Sequence, residues 1–201
     1  IGISKGDDVL LVNSYHTAWL DTFFKVITYA GDGLIFIPIL LVSLFIRFRD
    51  ALQWTVIGIA NGLAVRLFKD VLFTHAGRPI TYLDVNLLHF VPGVQVHSYA
   101  SFPSGHTATV FAAATFISLM SGSRYITCLA AAVALLAGIS RIYLLQHFLI
   151  DVAVGAMLGS VITVAVYLLF SWQPNPPSWM NGRLKFTISI PNNKGVVSSE
   201  R

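Results

Sequence analysis

The sequence predicts an all-α, polytopic membrane bundle of about six helices: five apolar spans preceded by an N-terminal amphipathic helix. Three observations lead there. Of 201 residues, 55% are apolar and only 11% charged, less than half the roughly 25% that wets a soluble domain. Mean hydropathy is +0.72. The apolar residues also gather into stretches close to the length that crosses a hydrocarbon core of about 30 Å. Disorder and collagen-like repetition are excluded by the same figures.

Taken in order, residues 7–30 mix apolar positions (Leu10, Leu11, Trp19, Leu20, Phe23, Phe24, Ile27) with polar ones, the pattern of an amphipathic helix or helix pair at the interface. Apolar stretches follow at 34–46, 51–68, 107–120, 125–139 and 152–172. Three of them are short at their uninterrupted core and must tilt or borrow flanking residues. Connections are short except for residues 70–104, and Gln173-Pro174-Asn175-Pro176-Pro177 stops the last helix. The chain thus divides into residues 1–30 as an amphipathic interfacial segment, 31–172 as a transmembrane domain, expected to be catalytic on the motifs described below, and 173–201 as a polar tail that the charge distribution assigns to the cytoplasm. With no Met or basic, apolar leader at Ile1, any targeting segment is expected to be removed or to lie outside this sequence.

Lys and Arg orient the spans. Arg47 and Arg49, Arg124, and the tail residues Arg183, Lys185, Lys194 and Arg201 fall on one side, which the rule assigns to the cytoplasm. On the other side Lys69, Arg78 and Arg141 stand beside His and Asp, a clustering that belongs to chemistry rather than topology. The formal charge of +4 carries no basic run, so no nucleic-acid partner is expected. Cys128, in an apolar run, reads as a small core residue. Gly58/Gly62 and Gly155/Gly159 repeat at four-residue spacing and predict close helix packing, with a homodimer through small-residue faces as the alternative. Trp19, Trp54, Trp172 and Trp179 read as interface anchors.

Ionisable groups at a membrane edge are costly and usually functional. Three groups share one end of the spans: Lys69 with Arg78-Pro79, Ser104-Gly105-His106, and Ser140-Arg141 with His147 and Asp151. That set suits a phosphate dianion attacked by an imidazole. Arg78 and Arg141 can fork onto phosphate oxygens, and Lys69 adds a point charge. Ser104-Gly105-His106 opens an apolar helix whose first N–H groups would face the anion, Gly105 allowing close approach. His147 and Asp151, four apart, are expected on one face of the final helix. Asp151 then takes the Nδ1 proton and leaves Nε2 to attack phosphorus. His106 remains to protonate the leaving oxygen and later to activate water.

Phe102-Pro103-Ser104-Gly105-His106 and Ser140-Arg141-(five residues)-His147-(three residues)-Asp151 resemble the second and third signatures of the type 2 phosphatidic acid phosphatase (PAP2) superfamily. The resemblance spans about residues 51–170. It implies a bundle of about six helices and a metal-independent lipid phosphatase with a phosphohistidine intermediate. On the matching positions His147 is the nucleophile, Asp151 its orienter and His106 the acid/base, while Arg141, Ser104 and Gly105 bind phosphate. The first signature departs from the pattern. Lys69 and Arg78 are separated by eight residues where the family has six, and Val71 stands at the strict Lys position. Two residues amount to about 3 Å along a helix, within the reach of Lys69. Arg66 is the substitute candidate.

His16, His75, His89 and His97 read as interfacial or loop residues. No His pair has metal spacing beside a carboxylate, so neither a metal nor another cofactor is expected. The expected partners are a lipid phosphate or diphosphate and the surrounding membrane lipids. Short loops without a soluble domain look like the bacterial members, which act on phosphatidylglycerophosphate, undecaprenyl diphosphate or lipid A. The expected setting is therefore a bacterial inner (cytoplasmic) membrane, multi-pass, with the site facing the periplasm or extracytoplasmic side and residues 81–100 as a lid or rim. Lipid phosphotransfer from the same residues and a non-enzymatic anion or lipid transporter are the rival functions. Vanadate-dependent halide oxidation, which uses a similar constellation in soluble proteins, is disfavoured by the membrane composition.

Overall fold

A computed structural model describes residues 5–185; Lys194 and Arg201 of the tail lie outside it. Seven α-helices occur among the described residues: α1 (Asp7–Ser14), α2 (Ala18–Ile27), α3 (Phe36–Ile46), α4 (Phe48–Leu67), α5 (Gly105–Ser121), α6 (Arg124–Tyr143) and α7 (Leu149–Ser171). Among the described residues the regular elements are all helical, with no strand. Segment 7–30 forms a helix pair rather than one helix. The Thr17 hydroxyl starts the second by accepting from Leu20 N at 3.2 Å.

Three helices are long and apolar enough to cross a membrane: α4 with its π-helical continuation (Phe48–Leu72), α6, and α7. A fourth crossing is available if Ala18–Gly31 and Gly33–Ile46, bent by 53° at their junction, act as one broken span. The segment expected to lie flat therefore runs on into the first apolar stretch. By itself α3 has 11 residues and α5 has 17.

Helix α5 is short and Ala-rich because it runs through the middle of the bundle. Ala108, Ala112, Ala113 and Phe116 are buried on it. In lipid, where apolar burial drives association weakly, close backbone approach and interhelical hydrogen bonds hold helices together. Gly155 and Gly159 of α7 supply that approach. A Cβ on Gly155 would lie 2.5 Å from Ser104 O, and one on Gly159 would collide with Ala108 O. Gly58 packs on Phe36, whereas Gly62 faces open space.

Two sequence expectations are corrected here. Trp54 is no interface anchor: it is 1% exposed, packs between Phe36 and Phe116 with ring centroids 4.4 and 4.9 Å away, and donates to Phe36 O at 2.9 Å. Cys128 is exposed rather than in the core, because α6 turns that face outward. Trp19, Trp172 and Trp179 are exposed as expected.

The α3–α4 turn, the end of α7 and the start of the tail share one end of the bundle. There Phe48 N donates to Gly182 O and Leu184 N to Leu44 O, while Arg49 bonds Phe170 O. The long connection lies at the other end and folds on itself, Arg78 N donating to Ser98 O at 2.8 Å and Ser101 N to Ala76 O at 3.0 Å.

Candidate active site

At that end the C-terminus of α4, the N-terminus of α5, the C-terminus of α6 and the α6–α7 loop surround a cavity of about 380 Å³. Lys69, Arg78, Gly105, His106, Arg141 and His147 line it. Three sequence segments expected to share a layer do share one.

His147 and Asp151 are 2% and 3% exposed, with His147 Nδ1 3.4 Å from Asp151 Oδ2. They do not share a helix face as expected. The first residue of α7 is Leu149, so His147 sits in the preceding loop. Leu145 turns that loop with φ +60°, and Gln146 N and His147 N both donate to Arg141 O, at 2.9 and 3.1 Å. Asp151 reaches back from the first turn, accepting from Phe148 N at 3.1 Å. Its Oδ2 also accepts from the Ser101 hydroxyl, which lies 3.5 Å from His147 Nδ1. With Nδ1 turned to the carboxylate, Nε2 is the nitrogen left to the cavity. Burial holds His147 well below the usual imidazole range, and the Arg78 and Arg141 charges push the same way although Asp151 opposes them. Burial thus favours the neutral ring.

The cations are held from behind. Arg78 Nε donates to Tyr99 O at 2.9 Å and Nη1 to Gln146 Oε1 at 2.6 Å. Arg141 Nη1 donates to Thr28 Oγ1 at 2.8 Å, and its buried Nε has no hydrogen-bond partner among the described residues. Lys69 lies in the π-helical turn Phe68–Leu72, and its Nζ donates to Ala100 O at 3.0 Å. Ala100 adopts φ +58°, a strained value of the kind found at functional sites. Arg66 is exposed on α4 and does not line the cavity.

Of the Ser104-Gly105-His106 trio, Gly105 and His106 line the cavity but Ser104 does not. Fully buried, Ser104 caps α5: its Oγ accepts from Thr107 N at 3.4 Å and Thr107 Oγ1 at 2.9 Å. Its amide donates to Asp151 O at 3.0 Å, tying α5 to α7. The α5 N-terminus therefore presents its first amides to the cavity, where an anion is favoured.

Four contributors were not found by sequence reasoning: Ser101 behind Asp151, Gln146 behind Arg78, Thr28 behind Arg141, and Lys25 in the cavity wall. Ser101 and Gln146 flank the signature residues, which was the available signal. Thr28 and Lys25 come from the N-terminal segment and carried none. Among the remaining histidines, His89 pairs with Asp21 at 2.9 Å and stacks on His16. Loop residue His97 lines the cavity.

A family model, the PAP2 superfamily, matches residues 50–175. A lipid A 1-phosphatase of Porphyromonas gingivalis is 38% identical over 86 residues, 42% of this chain and 19% of that protein. A lipid A 1-phosphatase of Rhizobium etli is 29% identical over 140 residues, 66% of this chain and 58% of that protein. The chain thus spans less than two thirds of either relative. Among solved structures, Aquifex aeolicus LpxE superposes with a TM-score of 0.73 at 26% identity, covering 82% of this chain and 94% of that one. A PAP2-type phosphatidylglycerolphosphate phosphatase from Bacillus subtilis shares the fold, with a TM-score of 0.62 at 24% identity, over 84% of this chain and 85% of that one.

Proposed function

The chain belongs to the PAP2 superfamily, and on that premise we propose that it is a bacterial membrane lipid phosphatase acting through a phosphohistidine on His147. The observation that carries the reading is the buried His147–Asp151–Ser101 arrangement, which leaves Nε2 to a cavity lined by Lys69, Arg78 and Arg141. His147 Nε2 attacks phosphorus and the P–O bond to the lipid breaks, with His106 delivering a proton to the leaving oxygen. Asp151 holds Nδ1–H and stabilises the cationic phosphoimidazole. Water, deprotonated by His106, then attacks phosphorus and frees inorganic phosphate and neutral His147. Lys69, Arg78, Arg141 and the Gly105 amide balance the charge on the equatorial oxygens, while Ser104 acts by capping α5. With Lys69, Arg78 and Arg141 around the reacting position and Lys25 in the wall, the cavity suits an anion and repels a divalent metal ion.

The lipid A 1-phosphatase relatives favour a lipid A-type phosphate over the phosphatidylglycerophosphate and undecaprenyl diphosphate alternatives. In the same reading the site opens at the periplasmic face of the inner membrane, residues 31–172 are the catalytic domain, and the tail from 173 is cytoplasmic. Arg47, Arg49, Arg183 and Lys185 gather at the end away from the cavity, which supports that orientation.

The test is phosphate release by the purified full chain in micelles from the three lipid classes, with acid-labile phosphate on His147 followed by mass spectrometry. Release from the lipid A-type substrate with a phosphorylated His147 is expected. No release from any of the three overturns the reading. Transfer to an added alcohol in place of release reassigns the protein as a phosphotransferase.

A further inference from the structure

The cavity is larger and more positive than one phosphoryl group needs. Its roughly 380 Å³ exceeds what the five heavy atoms of a phosphate fill, and no carboxylate among the described residues lines it. Four full cations do: Lys25, Lys69, Arg78 and Arg141. A phosphate monoester carries about −1.5 to −2 near pH 7. Three cations match or exceed that charge, and Lys25 is surplus to it.

Among the described residues no acid pairs with Lys25. Its Nζ donates to Pro92 O at 2.9 Å, leaving two of its three donors. Asp21, one turn earlier on α2, is instead bonded by Tyr143 Oη at 2.5 Å and by His89. The placement of Lys25 relative to the reacting phosphate is fixed through Thr28. Residues three apart on a helix lie about 5–6 Å apart at Cβ, and Thr28, three beyond Lys25, accepts from Arg141. Lys25 therefore stands one helical turn from the residue that grips Arg141.

We propose that Lys25 forms a second anion subsite beside the His147 pocket, which takes the lipid-proximal phosphoryl group of a lipid diphosphate whose terminal phosphoryl lies at His147. This rests on the lipid phosphatase reading above and adds to it a preference for a diphosphate over a monophosphate on the same lipid. His147 Nε2 attacks the terminal phosphorus, the P–O–P bond breaks and the lipid monophosphate leaves with its remaining phosphoryl held by Lys25; water then frees inorganic phosphate from His147.

Binding of inorganic pyrophosphate and of inorganic phosphate to the full chain in micelles, measured by calorimetry, tests the subsite without requiring turnover. Pyrophosphate is expected to bind at least tenfold more tightly than phosphate. In Lys25→Met that preference should shrink about tenfold, and Lys25→Arg should keep it. The same Lys25→Met change should raise KM for a lipid diphosphate at least tenfold more than for a lipid monophosphate. Equal weakening of both anions in Lys25→Met, or no change in their ratio, overturns the subsite, and Lys25→Arg reports whether substitution at this position is tolerated by the fold. Should the wild type release no phosphate from any lipid while the pyrophosphate preference depends on Lys25, the phosphatase reading fails and the subsite stands. Phosphate release without that dependence sinks the subsite alone.

Discussion

Gln146→Leu isolates one buried contact in the phosphate grip. Gln146 is 2% exposed, and its Oε1 accepts from Arg78 Nη1 at 2.6 Å while its Nε2 donates to Gln95 O at 3.0 Å and Leu144 O at 3.3 Å. Leu keeps much of the volume and removes all three bonds. A hydrogen bond to a charged group contributes about 1.5–3 kcal/mol, and every 1.36 kcal/mol is tenfold in rate. If Arg78 must be aimed for phosphorus to react, kcat/KM falls by about 12- to 160-fold. Gln146 acts through Arg78, so the loss should be greater with a lipid phosphate, where Arg78 grips oxygens in flight, than in the melting temperature of the micellar protein. Gln146→Glu keeps the acceptor for Arg78 but loses both Nε2 donors to Gln95 O and Leu144 O and offsets the guanidinium charge, so it should rescue neither folding nor turnover. Steady-state phosphate release per folded protein, with melting followed by circular dichroism, reads both. Turnover of Gln146→Leu within twofold of wild type would refute the claim that this contact aims Arg78.

Lys69→Met, which keeps the stem and removes the charge, should lower turnover about 30- to 1000-fold, corresponding to roughly 2–4 kcal/mol of transition-state stabilisation. Arg66→Met, on the exposed face of α4, should cost less than tenfold, and the opposite ranking in phosphate-release assays would move the grip to Arg66. Because burial depresses the His147 pKa, the acid limb of kcat/KM should fall below the ordinary imidazole value of about 6.5; a limb centred at 6.5 contradicts a buried nucleophile. The same shift has a stability sign: the unfolded chain binds a proton on this ring that the folded chain refuses, so acidification below about 6.5 should lower the melting temperature. Gly159→Val drives a side chain into Ala108 O, and should abolish folded protein in detergent extracts while Gly62→Val, which meets open space, is tolerated.

What the sequence made legible follows from locality. His147, Asp151, Arg141, Ser104, Gly105 and His106 sit in short motifs whose spacing fixes geometry, and two misplacements arose there: Ser104 caps α5 instead of lining the cavity, and His147 leaves the helix for a local reason. Leu145 in the left-handed region ends α6 early and wraps Gln146 and His147 around Arg141 O, so the four-residue spacing joins a loop to a first turn instead of two helix positions. Trp54 and Cys128 were misread because an apolar helix in lipid has little polarity contrast between its inward and outward faces. Only the neighbours Phe36 and Phe116 decide that position 54 points in. Lys25 and Thr28 were invisible for a stronger reason: more than 100 residues of chain separate Thr28 from Arg141, and no motif links them. The π-helical turn at Phe68–Leu72 likewise leaves no periodic mark, although it carries Lys69 at the irregular first signature.

The most direct test of the account is phosphate release by His147→Ala, measured per folded protein against wild type on the lipid A-type substrate. The account predicts a loss of several orders of magnitude in turnover per folded protein, whatever the yield of folded protein, since the buried ring supplies the attacking nitrogen. Retention of more than about a tenth of wild-type turnover, a barrier share below about 1.4 kcal/mol, would contradict it and remove His147 as the nucleophile.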